Sequence, residues 1–113
     1  MPEGVTIMVE MKKIRDLTSQ IAREFSPDRI ILFGSHAYGE PSNDSDVDIL
    51  VVLSFKGKPV RKAIEIRNRV NARMPLDLIV RTPEQLAERL AQNDWFMREI
   101  VERGRTLYDS NSQ

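Results

Sequence analysis

Five residues define the chemistry open to this 113-residue chain. Gly34-Ser35 is followed, after ten intervening residues, by Asp46-Val47-Asp48. On a β-strand, side chains two positions apart point to the same face. Asp46 and Asp48 are therefore expected to project together, their Cα atoms roughly 6.7 Å apart. Like charges that close, at the mouth of an apolar strand, are costly unless something neutralises them. A divalent cation would do so, and oxygen-only ligands favour Mg²⁺ or Mn²⁺. The plainer alternative is a polar strand entry after a turn.

Asp77 is the third carboxylate. It sits inside Leu76-Asp77-Leu78-Ile79-Val80, which is otherwise apolar. A charge there needs a reason. If this strand lies beside the one carrying Asp48, all three carboxylates share a face and form an oxygen cage for two metals. The alternative is an ion pair with Arg81 or Arg29. Gly34 supplies the other half of the site. It has no Cβ, so a ligand can approach its backbone closely. If Ser35 opens a helical turn, as N-cap, its hydroxyl and the following amides make an anion site. Amide donors on one side and metal ions on the other could hold a triphosphate.

These residues must be positioned by the elements around them. Met11, Ile14, Leu17, Ile21 and Phe25 recur at helical spacing and predict a helix over 10–25. Ser26-Pro27-Asp28 stops it. Arg29–Phe33 reads as a strand buried on both faces, Asp46–Leu53 as a second strand and Leu76–Val80 as a third. Between them, Pro59 opens a helix that runs to about Arg73. Thr82-Pro83-Glu84-Gln85 is a capping box, predicting a helix to about Gln92. Asn93 reads as the N-cap of a short helix with Trp95, Phe96, Ile100 and Val101 on its apolar side. Gly104 is its expected C′ stop, and Arg105–Asp109 an edge strand. The expected fold is α/β: a small mixed, twisted sheet of three or four strands with helices packed on it. One domain covers 1–113, with 1–9 and 110–113 as tails.

Composition removes several classes. Apolar residues make up 41% and charged residues 30%, which fits a folded domain with a charged surface. Lys plus Arg and Asp plus Glu each number 17, so global charge gives no reason to expect nucleic acid. The absence of cysteine excludes disulfides, thiolate zinc sites and cysteine nucleophiles. A single histidine, His36, excludes an internal two-histidine metal site. No apolar run approaches 18 residues and no signal pattern opens the chain, so the expected location is the cytoplasm, away from membranes.

The arrangement resembles the catalytic signature of the DNA polymerase beta-type nucleotidyltransferase superfamily. Within it, the chain is most similar to the minimal nucleotidyltransferases (MNT, MntA-like antitoxins), many of which are paired with a HEPN-domain partner. The resemblance runs through the leading helix, the strand into Gly34-Ser35, Ser45-Asp46-Val47-Asp48, a helix, the strand bearing Asp77, and Leu107-Tyr108. It implies that Asp46 and Asp48 bind two Mg²⁺ ions (or Mn²⁺), and that Asp77 binds the ion activating the acceptor and helps deprotonate it. Gly34 and Ser35 would hold the β- and γ-phosphates of ATP. The implied reaction moves AMP to a hydroxyl, through the family a tyrosine of a HEPN-type toxin, so that the chain acts as antitoxin. The alternatives are transfer to an RNA 3′ end or a small molecule, and a non-catalytic toxin-binding module. Many relatives carry arginine where this chain has His36 or Tyr38, which leaves the cationic phosphate contact to another residue.

The remaining residues carry plainer expectations. Asp44 reads as a solvated turn residue and His36 as a loop residue near the phosphates. Arg81 reads as one half of a surface ion pair, and Lys56 and Lys58 as a solvated loop. Trp95 and Phe96 are expected in the core; exposed, they would mark a partner surface.

Overall fold

The computed structural model describes residues 3–41 and 45–111, with side chains from Met11 onward. Asp44 lies outside the described residues. Nine elements follow one another: α1 (Glu3–Phe25), β1 (Arg29–Phe33), α2 (Ser35–Tyr38), β2 (Val47–Val52), α3 (Pro59–Arg69), β3 (Leu76–Arg81), α4 (Pro83–Ala91), α5 (Trp95–Arg103) and β4 (Arg105–Asp109). Helix α1 begins at Glu3 rather than at residue 10. Strand β2 begins at Val47, so Asp46 stands just before the strand and not in it.

Helix α1 holds to the sheet through Ile14, Leu17 and Ile21, all buried. Full burial of each such side chain contributes about 1.5–3 kcal/mol. Between them Thr18 is buried too, and it satisfies its hydroxyl by donating to the Ile14 carbonyl at 2.9 Å. The helix ends where Ser26 takes a φ of 46°. Pro27 follows and cannot continue the helix.

The sheet is mixed, with order β3-β2-β1-β4. β1 runs antiparallel to both neighbours, while β2 and β3 are parallel. A parallel pair needs a crossover, and α3 supplies it. Alternate residues of each strand enter two separate cores. Ile30, Leu32, Val47, Ile49, Val51, Leu76, Leu78 and Val80 pack with α1 and α3. Ile31, Phe33, Leu50, Val52 and Ile79 pack with Leu86 and Leu90 of α4 and with Met97 and Ile100 of α5. This accounts for the unbroken apolar run in β1, which is covered on both faces.

Side chains opposite one another on the α4/α5 face form three rows across β1, β2 and β3. Strand register sets them as Phe33–Asp48–Asp77, Ile31–Leu50–Ile79 and Arg29–Val52–Arg81. Acids thus lie at one end of this face, an apolar band in the middle and arginines at the other end. Among the described residues, no helix is long and apolar enough to cross a membrane.

Two expectations at α5 fail. Trp95 is 71% exposed and Phe96 40% exposed, while Met97 and Ile100 take the buried positions. Asp94, not Asn93, is the N-cap, accepting from the backbone amides of Phe96 and Met97 at 3.1 Å each. At the other end Gly104 is extended rather than left-handed, with φ −67° and ψ 164°. Glycine is needed there for space. A Cβ would stand 2.6 Å from Ile31 Cγ2 and 2.9 Å from the Leu32 carbonyl oxygen. Gly104→Ala should therefore lower stability by about 1–3 kcal/mol, the usual cost of overpacking. Urea denaturation of the two proteins measures the difference.

Candidate active site

The Phe33–Asp48–Asp77 row brings together residues distant in sequence. Asp48 and Asp77 are direct neighbours in the parallel β2/β3 register. Adjacent strands lie about 4.8 Å apart, so the two carboxylates come within reach of each other. Asp46, although outside the strand, adds its charge to the same place.

The Asp48 carboxyl is pushed above the usual carboxylate range. Burial is the largest cause, followed by the charges of Asp77 and Asp46 and the hydrogen bond to Asp77. His36 acts in the opposite direction and favours ionised Asp48. The histidine of α2 thus belongs to the electrostatics of this site. Its position two residues after Gly34, in a turn that folds back on β2, was the available sequence signal.

Gly34 is required twice over. Its φ of 74° and ψ of −155° fall in a region essentially reserved for glycine. It also packs directly under Asp48, because a Cβ at position 34 would fall on Asp48 Oδ2 and lie 3.1 Å from its Cγ. Gly34, rather than Ser35, is the N-cap of α2, and no side chain caps that turn. The amides of Ala37 and Tyr38 donate to the Gly34 carbonyl at 3.0 and 3.1 Å. By helix geometry the earliest amides of the turn, starting with Ser35, face out of its N-terminus. Tyr38 fastens the turn to α5: its hydroxyl donates to Glu99 at 3.3 Å, and Arg103 stacks 4.5 Å above its ring.

The structure therefore brings Gly34, Asp48 and Asp77 into contact or register, with Asp46 acting on them through its charge. Neither Arg29 nor Arg81 pairs with Asp77 among the described residues; both lie in the row at the far end of the face. Arg81 is not in an ion pair either. It donates to its neighbouring Val80 carbonyl at 2.7 Å. Burial and nearby Arg89 lower its pKa, against the charge of Asp94. Together with Pro59, Val60, Gln85, Glu88 and Arg89, it lines a cleft of about 350 Å³ away from the carboxylates.

A hard divalent cation fits the donor chemistry. The available donor atoms are carboxylate oxygens, and a cation among them would relieve both the burial of the Asp48 charge and the repulsion from Asp77 and Asp46. As the side chains stand, no three acidic or histidine groups among the described residues converge on one metal position. The site thus has the ligand types, while Asp48 and Asp77 turn toward each other.

Comparisons with known proteins bear on the family and the fold. The family described as Polymerase beta, Nucleotidyltransferase matches residues 12–113. The chain belongs to that family, whose class of activity is nucleotidyl transfer with divalent metals and nucleoside triphosphates. A crystal structure of a candidate nucleotidyltransferase from Sulfolobus solfataricus, determined at 1.40 Å, has the same fold, with a TM-score of 0.67. The two chains are 21% identical over 99% of this chain and 92% of that one. No curated protein matches the chain.

The raised Asp48 pKa has a defined effect on stability. A carboxyl whose folded pKa lies above its unfolded value stabilises the fold fully below the unfolded value, about 4. That contribution is lost as pH rises through the folded pKa. Without divalent ions, Asp48→Asn should therefore melt at a higher temperature than wild type at pH 7. The gap should narrow as the pH falls and close below about 4, where the wild-type carboxyl is protonated in both states. Thermal melts in a chelating buffer across that range measure it.

Proposed function

We propose that this chain transfers AMP from ATP to an acceptor hydroxyl, a tyrosine of a HEPN-type toxin partner, and thereby acts as its antitoxin. The observation that carries the transfer chemistry is the packing of Gly34 under Asp48, with Asp77 beside it in register. This sets the glycine that opens the turn before Ser35 directly against the paired carboxylates. The choice of acceptor rests on the resemblance of the Gly-Ser and Asp-Val-Asp motifs to the minimal nucleotidyltransferases.

In this reading Gly34 and Ser35 hold the β- and γ-phosphates through the outward amides of α2. Asp46, Asp48 and Asp77 are the ligands for two Mg²⁺ ions. Divalent cations held there supply charge neutralisation at the entering and leaving oxygens. The acceptor oxygen attacks the α-phosphorus in line, and the bond from that phosphorus to the α–β bridging oxygen breaks. Pyrophosphate leaves, and the hydroxyl proton passes to Asp77. Positioning and electrostatics then carry most of the rate, as in other phosphoryl transfers.

One observation favours an RNA acceptor instead. Between Lys56 and Arg73 the chain has seven Lys or Arg and one acidic residue, Glu65, so its net neutrality hides a basic segment. Much of that segment is α3, which packs against the face opposite the carboxylates. RNA held along α3 would have to pass around the sheet to reach Asp48. The protein acceptor is therefore preferred.

Incubation with Mg²⁺ and α-labelled ATP, with either a HEPN-domain partner or tRNA, tests the assignment by intact mass and gel. AMP should add to the protein partner and not to tRNA. Asp77→Asn should slow transfer by at least about a hundredfold. Label on tRNA alone would move the acceptor to RNA. A tight complex without transfer, in which an Asp46→Asn plus Asp48→Asn variant neutralises the toxin as well as wild type, would leave a contact-only antitoxin.

A further inference from the structure

We infer that Phe96 is a substrate-binding residue, the surface on which the nucleobase of the triphosphate stacks. The inference rests on the reading above for where the phosphates lie. Phe96 packs against Phe33, with ring centroids 5.8 Å apart and planes at 83°. Phe33 immediately precedes Gly34 and is the direct cross-strand neighbour of Asp48. One side chain therefore separates Phe96 from the carboxylates and from the glycine beneath them.

Three features suit Phe96 to this task. The edge-on contact with Phe33 uses the rim of one ring against the face of the other, and Phe96 stays 40% exposed. Its neighbour Trp95 is 71% exposed, although Met97 and Ile100 of the same short helix are buried. Large aromatics left in water beside a polar site mark a contact surface. The backbone of Phe96 is also held in advance, because the Asp94 carboxylate accepts its amide proton at 3.1 Å. A base arriving there would meet a ring already fixed in place, which lowers the entropy cost of binding.

Reach is consistent as well. With the β- and γ-phosphates at Gly34 and Ser35 and the α-phosphate at the carboxylates, ribose and base extend outward from the same sheet face. Helix α5 packs on that face, and Phe96 lies at its first turn. Stacking on a ring tolerates every base, since each has a π-face. Phe96 would thus strengthen binding of nucleoside triphosphates as a class and would separate adenine from guanine poorly.

Calorimetric titration of the intact chain with Mg-ATP, Mg-GTP and Mg-tripolyphosphate tests the inference. Tripolyphosphate engages the phosphate and metal residues without a base. Wild type should bind ATP more tightly than tripolyphosphate. Phe96→Leu, which keeps an apolar contact with Phe33, should weaken ATP and GTP by about tenfold and leave tripolyphosphate unchanged. Phe96→Tyr should restore nucleotide binding. Trp95 is the chain's single tryptophan, and its emission should change with ATP but not with tripolyphosphate. If Phe96→Leu binds ATP as wild type does, the inference fails and the aromatic pair passes to a protein partner's surface. Equal loss of ATP and tripolyphosphate would make Phe96 merely structural. Equal wild-type affinity for the two ligands would overturn the stacking surface while leaving the phosphate site intact. If wild type binds neither, the reading beneath the inference fails and takes the inference with it.

Discussion

The repulsion among Asp46, Asp48 and Asp77 is the constraint around which the acid end of the sheet is arranged. Burial and two like charges act on Asp48 together, and among the described residues His36 opposes them. A fold selected for stability alone would place an apolar residue at position 48, as it does at Leu50 and Val52 on the same face. The chain instead keeps a carboxyl there, in register beside that of Asp77. Groups held against their intrinsic preference cluster where a ligand will later offset the cost. A polyvalent cation is the kind of ligand whose charge suits such a place.

The surrounding scaffold makes that arrangement tolerable. Strands β1 and β2 are covered on both faces, so the row carrying Asp48 is anchored by two layers of packed side chains behind it. The parallel crossover through α3 sets the register that puts Asp77 beside Asp48 and not beside its flanking residues. A slip of one residue would turn Asp77 to the α1/α3 core and expose Leu78. Helix α2 spans only four residues, yet Tyr38 ties it to Glu99 and Arg103 of α5. The same helix α5 carries Phe96 onto Phe33, so the turn after Gly34 and the aromatic rim are braced by one element.

Charge is arranged along the sheet as well as summed over the chain. On the α4/α5 face, acids and arginines are separated by an apolar row. The basic stretch around α3 lies on the other face. A net charge of zero therefore describes solubility better than it describes any one surface. The alternative of an ion pair between Asp77 and Arg81 or Arg29 is absent among the described residues for the same reason: strand parity puts them on one face, but the apolar row stands between.

Much of the fold was legible because its signals are local. Helical spacing from Met11 to Phe25, the Thr82–Gln85 capping box and the apolar strands each report on a few neighbouring residues, and each element formed. Gly34, Ser35, Asp46, Asp48 and Asp77 could be singled out because carboxylates and glycine in apolar surroundings are costly without a purpose. Other features had no local signal. That Gly34 must lack a Cβ because Asp48 packs on it follows from antiparallel pairing of β1 with β2. The need for glycine at 104 follows from its approach to Ile31 and Leu32 rather than from helix-stop geometry. Burial of Met97 and exposure of Trp95 and Phe96 depend on how α5 rolls against the sheet, which composition does not encode. By itself, then, the sequence determined the elements, their order and the acidic residues at their ends, since these depend on propensity and pattern. Only the tertiary structure decided the sheet order, the register that sets Asp77 beside Asp48, and which aromatic rings meet solvent, since these arise where segments far apart in the chain pack together.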